Sequence, residues 1–150
     1  MVNVDLYRKL YGSIKSIFLH IDNQEKEFLS KFDLTITRFY ILTHVSNNPG
    51  INYIDLSELL LCTKGNTTRI VSAMQSEGLL VRRINPGDRR SYHLYLTERG
   101  EVLFEEVHAE YLGYINRLMS NFNEDKLNTY AKISTQIEKV LESSLIYPGN

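Results

Sequence analysis

Apolar residues recur at helical spacing near the start of the chain. They follow one another at steps of four and three residues: Leu6, Leu10, Ile14, Ile17 and Ile21. This spacing places the side chains on one face of an α-helix. The pattern therefore predicts one long amphipathic helix, from about Val4 to Leu29.

Two shorter apolar patterns follow, and each indicates a further helix. Thr35 is the expected N-cap of the second helix, and the turn sequence NNPG at 47–50 ends it. Its apolar face consists of Phe39, Leu42 and Val45. The segment INYIDLSELLLC predicts a short third helix with apolar positions at Ile54, Leu56, Leu59 and Leu60.

The fourth helix has a polar beginning and an apolar inner face. Thr63 is its expected N-cap, and Gly78 is its expected C-terminal stop. Ile70, Val71 and Met74 face inward, with Thr67 as a further candidate for this face. The first turns expose small or polar residues, which lets another surface approach closely: Lys64, Gly65, Asn66, Thr68 and Arg69.

Alternating residues after this helix predict a β-hairpin, here called the wing. Its strands run from Leu79 to Ile84 and from Ser91 to Leu96, and the turn residues 85–88 join them. Tyr92, Leu94 and Leu96 share one face of the second strand.

Two amphipathic helices complete the chain. Thr97 and Glu98 begin the first, and Asn123 or Glu124 begins the last. The first has apolar positions at Leu103, Val107, Tyr111, Tyr114, Leu118 and Phe122. The inward positions predicted for the last are Leu127, Tyr130, Ile133, Ile137, Val140 and Leu141. The order predicts a mainly α fold with a small β-hairpin wing: a winged helix-turn-helix whose long terminal helices form a dimerisation arm.

Charge is distributed unevenly, although the net charge is only −1. Between positions 64 and 93 the basic residues are Lys64, Arg69, Arg82, Arg83, Arg89 and Arg90, against the acids Glu77 and Asp88. Acids follow at Glu98, Glu101, Glu105, Glu106 and Glu110. A local cationic patch is compatible with nucleic-acid binding even when the total charge is slightly negative.

Cellular location and cofactor use are constrained by what the sequence lacks. The single cysteine, Cys62, excludes an internal disulfide and fits a reducing compartment. No secretory signal or stretch of about 18 apolar residues is present, so we expect a cytoplasmic protein without membrane contact. No nucleophile–base pattern or cofactor loop appears, so we expect no enzyme activity and no cofactor.

The segments LSELLLCTKGNTTRIVSAMQSEGLLVRR and DRRSYHLYLTERG resemble the signature region of the multiple-antibiotic-resistance regulator (MarR) family. The upstream segment LTITRFYIL is similar to the second-helix pattern of that family. The resemblance implies a homodimeric winged-helix DNA-binding protein, in most members a repressor, often released by small aromatic ligands or by oxidation. It implies one MarR-type domain over residues 1–150. Its winged-helix region would span about 35–100, and its dimerisation helices about 1–30 and 101–150.

The fourth helix carries the residue types that read base edges in a major groove. Asn66, Thr67 and Thr68 provide amide and hydroxyl groups. Arg69 suits either guanine recognition or a phosphate contact, and Lys64 suits phosphate. The alternative is a solvated helix surface without a partner.

The wing carries a second set of candidate DNA contacts. Arg90 is the candidate for the minor groove, where negative potential attracts a guanidinium. Asp88 is expected to orient Arg90, and the resemblance implies the same roles. Arg82, Arg83 and Arg89 are expected to contact phosphates or to stabilise the hairpin. The alternative is that Asp88 and Arg90 form only an exposed ion pair worth about 0–1 kcal/mol.

The predicted partners are a near-palindromic DNA duplex and a second copy of the chain, and the resemblance implies a small aromatic effector as a third. The ligand-binding candidates are Tyr7, Tyr11, Phe18, Phe39, Tyr40 and Tyr111. Core packing is the alternative role for these rings. Other hypotheses are a winged helix that binds protein, a metal site built around His44 and His108, and an oxidation-sensitive Cys62. Cys62 is more readily explained as a small buried apolar residue.

Overall fold

The structure is a computed structural model that describes residues 3–144, apart from the side chains of Arg89 and Arg90. Its elements, in chain order, are α1 (Val4–Ser30), α2 (Ile36–Asn47), α3 (Tyr53–Leu59), α4 (Lys64–Ser76), β1 (Leu80–Asn85), β2 (Asp88–Leu96), α5 (Glu98–Met119) and α6 (Leu127–Ser143). A single 3₁₀ turn, Glu124–Lys126, precedes α6. This order confirms the predicted mainly helical fold with one β-hairpin.

The chain forms two compact units, Met1–His108 and Ala109–Asn150, with the boundary inside α5. The first unit contains the helix-turn-helix, the wing and α1. The second contains the C-terminal part of α5 together with α6. The predicted division into a winged-helix region and two dimerisation segments is a functional division and stays a prediction.

Threonine side chains begin three of the helices in the first unit. Thr35, Thr63 and Thr97 precede α2, α4 and α5, as predicted from the sequence. Each hydroxyl accepts a hydrogen bond from the backbone N–H three residues later, at 3.2, 3.3 and 3.0 Å respectively. These bonds satisfy N–H groups that have no partner inside the helix, so the helix starts are encoded locally.

Helices α1, α3 and α4 end in the same backbone motif. Asp33, Leu61 and Gly78 follow them with φ of 54°, 51° and 73°. In each case the N–H of this residue bonds back three residues, and the next N–H bonds back five. This arrangement is a Schellman motif, in which the left-handed residue is usually glycine. The sequence predicted this end at Gly78 but not at Leu61.

Leu61 has a left-handed backbone conformation, and packing does not compensate for its steric strain because the side chain is 90% exposed. We expect Leu61→Gly to stabilise the protein by about 1 kcal/mol, since glycine adopts this conformation without steric strain. Leu59→Gly is the matched control. Leu59 is also exposed but lies in α3, so this change is expected to destabilise by about 1 kcal/mol. Chemical denaturation measures both values, and a loss of stability in Leu61→Gly would contradict the prediction.

The core of the first unit lies where α2, α3, α4 and the wing meet. Its fully buried side chains include Leu29, Phe39, Ile41, Leu42, Val45, Leu56, Val71, Met74, Leu94 and Val107. Leu94 of β2 also forms an isolated antiparallel bridge with Ile51, which precedes α3. The base of the wing is therefore attached to the helix-turn-helix through both backbone and side chains.

The wing is a two-stranded antiparallel hairpin. Its register runs from the pair Leu80–Leu96 at the base to Asn85–Asp88 at the tip. β2 begins at Asp88, three residues earlier than the predicted Ser91, because the ladder continues up to the turn. The tip residues are therefore part of the ordered hairpin backbone.

The apolar faces of the terminal helices are exposed to solvent in the single chain. On α1 the exposed residues include Leu6, Leu10, Ile17 and Ile21, and α6 has no buried residue. The prediction that Leu127, Tyr130, Ile133, Val140 and Leu141 point into a core is wrong for the isolated chain, where all are exposed. Helical periodicity identifies an apolar face but does not specify what covers it.

Candidate nucleic-acid interface

The exposed face of α4 is polar and begins at the N-terminus of the helix. Lys64, Asn66, Thr68 and Arg69 are all exposed on it. The Arg69 guanidinium donates to the side-chain oxygen of Asn66 at 3.1 Å, and the Thr68 hydroxyl donates to the Lys64 carbonyl at 2.9 Å. These contacts hold the side chains against the helix, so their polar groups form one surface.

Thr67 does not belong to this surface. It is fully buried, and its hydroxyl donates to the Thr63 carbonyl at 3.2 Å. The predicted contact of Thr67 with bases is therefore wrong. The structure gives it the inward position that the sequence had left open, beside Val71 and Met74 on the buried face of α4.

Two arginines of β1 stack on tyrosines of β2. The Arg82 guanidinium carbon lies 4.6 Å from the ring centre of Tyr92, and that of Arg83 lies 4.8 Å from the ring centre of Tyr95. Because successive residues of a strand point to opposite faces, the two pairs lie on opposite faces of the wing. Such contacts stabilise the hairpin, which is one of the two roles predicted for Arg82 and Arg83.

The tip of the wing contains the predicted Asp88-Arg89-Arg90 sequence. Asp88 is exposed and pairs with Asn85 across the turn. The Gly87 N–H donates to the Asn85 side chain at 3.0 Å, which fixes the turn. The side chains of Arg89 and Arg90 lie outside the described residues, so the orientation of Arg90 by Asp88 stays a prediction.

A crevice of about 420 Å³ separates α4 from the wing. Its lining comes from the start of α3, the start of α4 and both strands: Asn52, Tyr53, Ile54, Lys64, Thr68, Arg82, Asp88, Ser91 and Tyr92. Predicted contacts that are distant in sequence, such as Lys64 and Asp88, therefore border one concave surface. The helix and the wing face the same space.

Sequence reasoning missed Tyr53, which lies on this crevice at the first residue of α3. Its hydroxyl donates to the side-chain oxygen of Gln75 on α4 at 3.4 Å. Burial raises the pKa of the Tyr53 phenol, and the positive charge and hydrogen bonding of Arg82 only partly offset this rise. The phenol is therefore neutral near pH 7. No periodic pattern in the sequence marks this residue.

A second group of contacts, also missed, fixes the C-terminal end of α4. The Arg38 side chain of α2 forms an ion pair with the Glu77 carboxylate. Arg99 donates to the Glu77 carbonyl at 3.1 Å, and the Thr97 hydroxyl donates to the Gly78 carbonyl at 2.6 Å. The C-terminal end of α4 is thus tied to α2 and to the start of α5, which restrains its orientation.

Comparison with known proteins agrees with this arrangement. The model of the MarR family matches residues 34–92, the part that contains the helix-turn-helix and most of the wing. The helix-turn-helix and the wing of this chain therefore match the MarR family. Members of this family are transcriptional regulators and not enzymes, as predicted from the sequence.

Individual relatives cover most of the chain. An HTH-type transcriptional regulator of Bacillus cereus is 27% identical over 124 residues, 81% of this chain and 82% of its own length. The HTH-type transcriptional repressor MdtR of Bacillus subtilis is 23% identical over 131 residues, 87% and 84% of the two chains. The structure of the transcriptional repressor CouR bound to a 23-mer DNA duplex superimposes with a TM-score of 0.80 at 23% identity. It covers 92% of this chain and 98% of that one.

The aromatic residues predicted to line a MarR-type ligand crevice occupy different environments. Phe39 is only 1% exposed and belongs to the core, so it drops out of the candidates. The Tyr40 hydroxyl donates to the Glu25 carboxylate at 3.1 Å. Tyr7, Tyr11 and Phe18 are exposed on α1. Tyr111 lies in the second unit, where its ring is 5.9 Å from that of Tyr114.

The structure does not assemble a metal-binding cluster around the histidines in the part of the chain that it describes. Among residues 3–144, no group of three histidine, cysteine, aspartate or glutamate side chains is close enough to hold a metal ion. Burial lowers the pKa of His44, and His108 stacks on Phe104 at 5.0 Å. Cys62 is a free thiol that is partly exposed, so its predicted burial is incomplete.

Across positions 3–144, no helix combines the length and the hydropathy that a membrane span requires.

Proposed function

We propose that this MarR-family regulator acts as a homodimeric, sequence-specific DNA-binding repressor. In each subunit, α4 enters a major groove and the wing reaches the adjacent minor groove. The observation that carries the proposal is the shared concave surface between the polar face of α4 and the wing. Thr68 lines this surface, and Asn66 and Arg69 are exposed on the same helix; all three supply groups that pair with base edges.

The charges on this surface fit a duplex. Lys64 and Arg69 lie on α4, and Arg82 and Arg83 lie on β1, all of them exposed. Two acids lie in the same stretch: Glu77 is paired with Arg38 at the far end of α4, and Asp88 borders the crevice, so the surface keeps a net positive charge. Positive charge that is not neutralised by protein acids is available to phosphates, so affinity should fall steeply with salt.

Dimerisation is proposed because the apolar faces of the terminal helices lack cover in the single chain. Leu6, Leu10 and Ile17 of α1 are each at least half exposed, and so are Val140 and Leu141 of α6. An exposed apolar face on either helix favours a protein–protein interface. A second copy related by twofold symmetry would present two α4 helices to half-sites about one helical turn apart.

The proposal also includes repression of transcription, release from DNA by an effector, and a cellular location. The similar proteins MdtR and CouR are transcriptional repressors, and the CouR structure contains a bound DNA duplex. Tyr7, Tyr11 and Phe18 offer exposed rings to a small aromatic effector on α1. An effector that changes the separation of the two α4 helices would prevent both from entering successive grooves. The proposed site of action is the cytoplasm.

The direct test is DNA binding by an Arg90→Ala variant. We expect operator affinity to fall about tenfold or more, and the salt dependence to weaken by about one counterion per subunit. The melting temperature should change little, because Arg90 lies at the tip of the wing. Gel shift on sites selected from random DNA, repeated over a salt series, measures both quantities.

Arg117→Ala is the matched control, because it removes an arginine from α5 in the second unit. It should bind like the wild type. Wild-type affinity in Arg90→Ala would remove Arg90 from the interface. A protein that selects no DNA sequence at any salt concentration would contradict the function as a whole and favour a protein-binding winged helix.

A further inference from the structure

Tyr53 lies between the two elements that are proposed to contact DNA. It is the first residue of α3, and its hydroxyl donates to Gln75 of α4 at 3.4 Å. Tyr53 and Arg82 of β1 line the same crevice, and the positive charge of the Arg82 guanidinium acts on the phenol. One side chain therefore contacts α4 on one side and the wing on the other.

The contact continues across the wing through Arg82. Its guanidinium carbon lies 4.6 Å from the ring centre of Tyr92 on β2. A continuous chain of side-chain contacts thus runs through α4, α3, β1 and β2. It leads from Gln75 through Tyr53 and Arg82 to Tyr92. We call this chain the wing tether.

The wing tether restrains the part of the hairpin that leads to the tip. The backbone bridge between Ile51 and Leu94 fixes the base of the wing. Tyr92 lies two residues beyond Leu94 towards the tip, and it pairs with Ile84. The tether meets β1 at Arg82, which pairs with Leu94, and continues to Tyr92, so it adds a side-chain restraint from the level of the backbone bridge to two residues nearer the tip.

The protonation state of Tyr53 suits this role. Burial raises the pKa of its phenol, so the hydroxyl keeps its proton near pH 7 and continues to donate to Gln75. Its oxygen remains available to the guanidinium of Arg82. The contact with both elements should persist over the physiological pH range.

We propose that Tyr53 is a positioning residue that fixes the wing relative to α4, so that the wing meets the minor groove beside the major groove entered by α4. The inference rests on the proposed DNA-binding function and adds to it a residue that acts by holding the wing in place. A wing that occupies the binding position only part of the time reduces apparent affinity by the fraction of time it spends elsewhere.

The test is Tyr53→Phe, which removes the hydroxyl and keeps the ring. We expect operator affinity to fall about fivefold to tenfold. In hydroxyl-radical footprints the minor-groove protection by the wing should weaken. Major-groove protection from dimethyl sulfate, which reports on α4, should persist. A purely structural effect would weaken both protections together.

Tyr95→Phe is the matched control. Tyr95 stacks with Arg83 on the opposite face of the same hairpin, and its hydroxyl lies beside Gly50 and not beside α4. Removing this hydroxyl should leave affinity and both protections unchanged. An equal loss in Tyr95→Phe and Tyr53→Phe would overturn the special role of Tyr53.

A double variant separates the failure of this inference from the failure of the proposed function. If Tyr53 acts through the wing, adding Tyr53→Phe to Arg90→Ala should cause less than a twofold further loss of affinity. Full additivity would overturn the inference, as would wild-type footprints in Tyr53→Phe beside a clear loss in Arg90→Ala. Absence of operator binding by the wild-type protein would instead overturn the proposed function, and the inference with it.

Discussion

Gly100→Ala should destabilise the protein by about 3 kcal/mol or more. This is the largest change in stability that we expect from the substitutions considered in the first unit. Gly100 is buried in the first turn of α5. A Cβ atom at this position would lie 2.1 Å from the carbonyl oxygen of Leu79. Atoms cannot approach so closely, so α5 or the start of β1 must move.

Neither element moves without breaking other contacts. The Leu79 carbonyl accepts a hydrogen bond from the Thr97 N–H at 3.1 Å. The Gly100 N–H donates to the Thr97 hydroxyl at 3.0 Å, and that hydroxyl donates to Gly78. Displacing α5 would therefore remove its N-cap and disturb the end of α4 together.

Thermal unfolding measures the effect, which corresponds to a decrease of roughly 6–12 °C in melting temperature for a chain of this size. Gly12→Ala is the matched control, because no atom lies within 4 Å of a Cβ at that helical position. It should stabilise α1 by about 0.5–1 kcal/mol. If Gly100→Ala had the same melting temperature as the wild-type protein, α5 would not pack against Leu79 as described.

Leu10→Glu should convert the proposed dimer into monomers and lower operator affinity at least a hundredfold. Leu10 is half exposed on the apolar face of α1 in the single chain. Twofold symmetry would place two new carboxylates in one apolar interface, where an unpaired charge is strongly unfavourable. A monomer binds each half-site independently and loses the gain from linked binding.

Light scattering coupled to size-exclusion chromatography measures the mass, and gel shift on the selected operator measures the affinity. Asn23→Glu adds the same charge at an exposed position of α1 outside the periodic apolar face, and it should leave both values unchanged. Circular dichroism checks that the helices remain. A dimeric Leu10→Glu protein with wild-type affinity would show that this face is not the interface.

Part of the candidate interface was predictable because its signals are local. Thr63 caps α4 through a bond to a residue three positions away, and Gly78 ends the same helix with a positive φ. The polar start of α4 and the arginines of the wing are visible as a composition shift. Thr67 and Thr68 show the limit of such reasoning. Adjacent residues of one helix point about 100° apart, and the structure decides the open case by burying Thr67 while Thr68 stays exposed.

The sequence by itself determined the elements, their order, most of their caps and the concentration of positive charge between residues 64 and 93. These features depend on neighbours within about four positions, which the chain itself supplies. Tertiary structure decided the rest. The contact of Gly100 with Leu79 and the tether from Gln75 through Tyr53 to Arg82 join residues about 20 or more positions apart. Such contacts arise only after packing brings the elements together, so no local pattern encodes them.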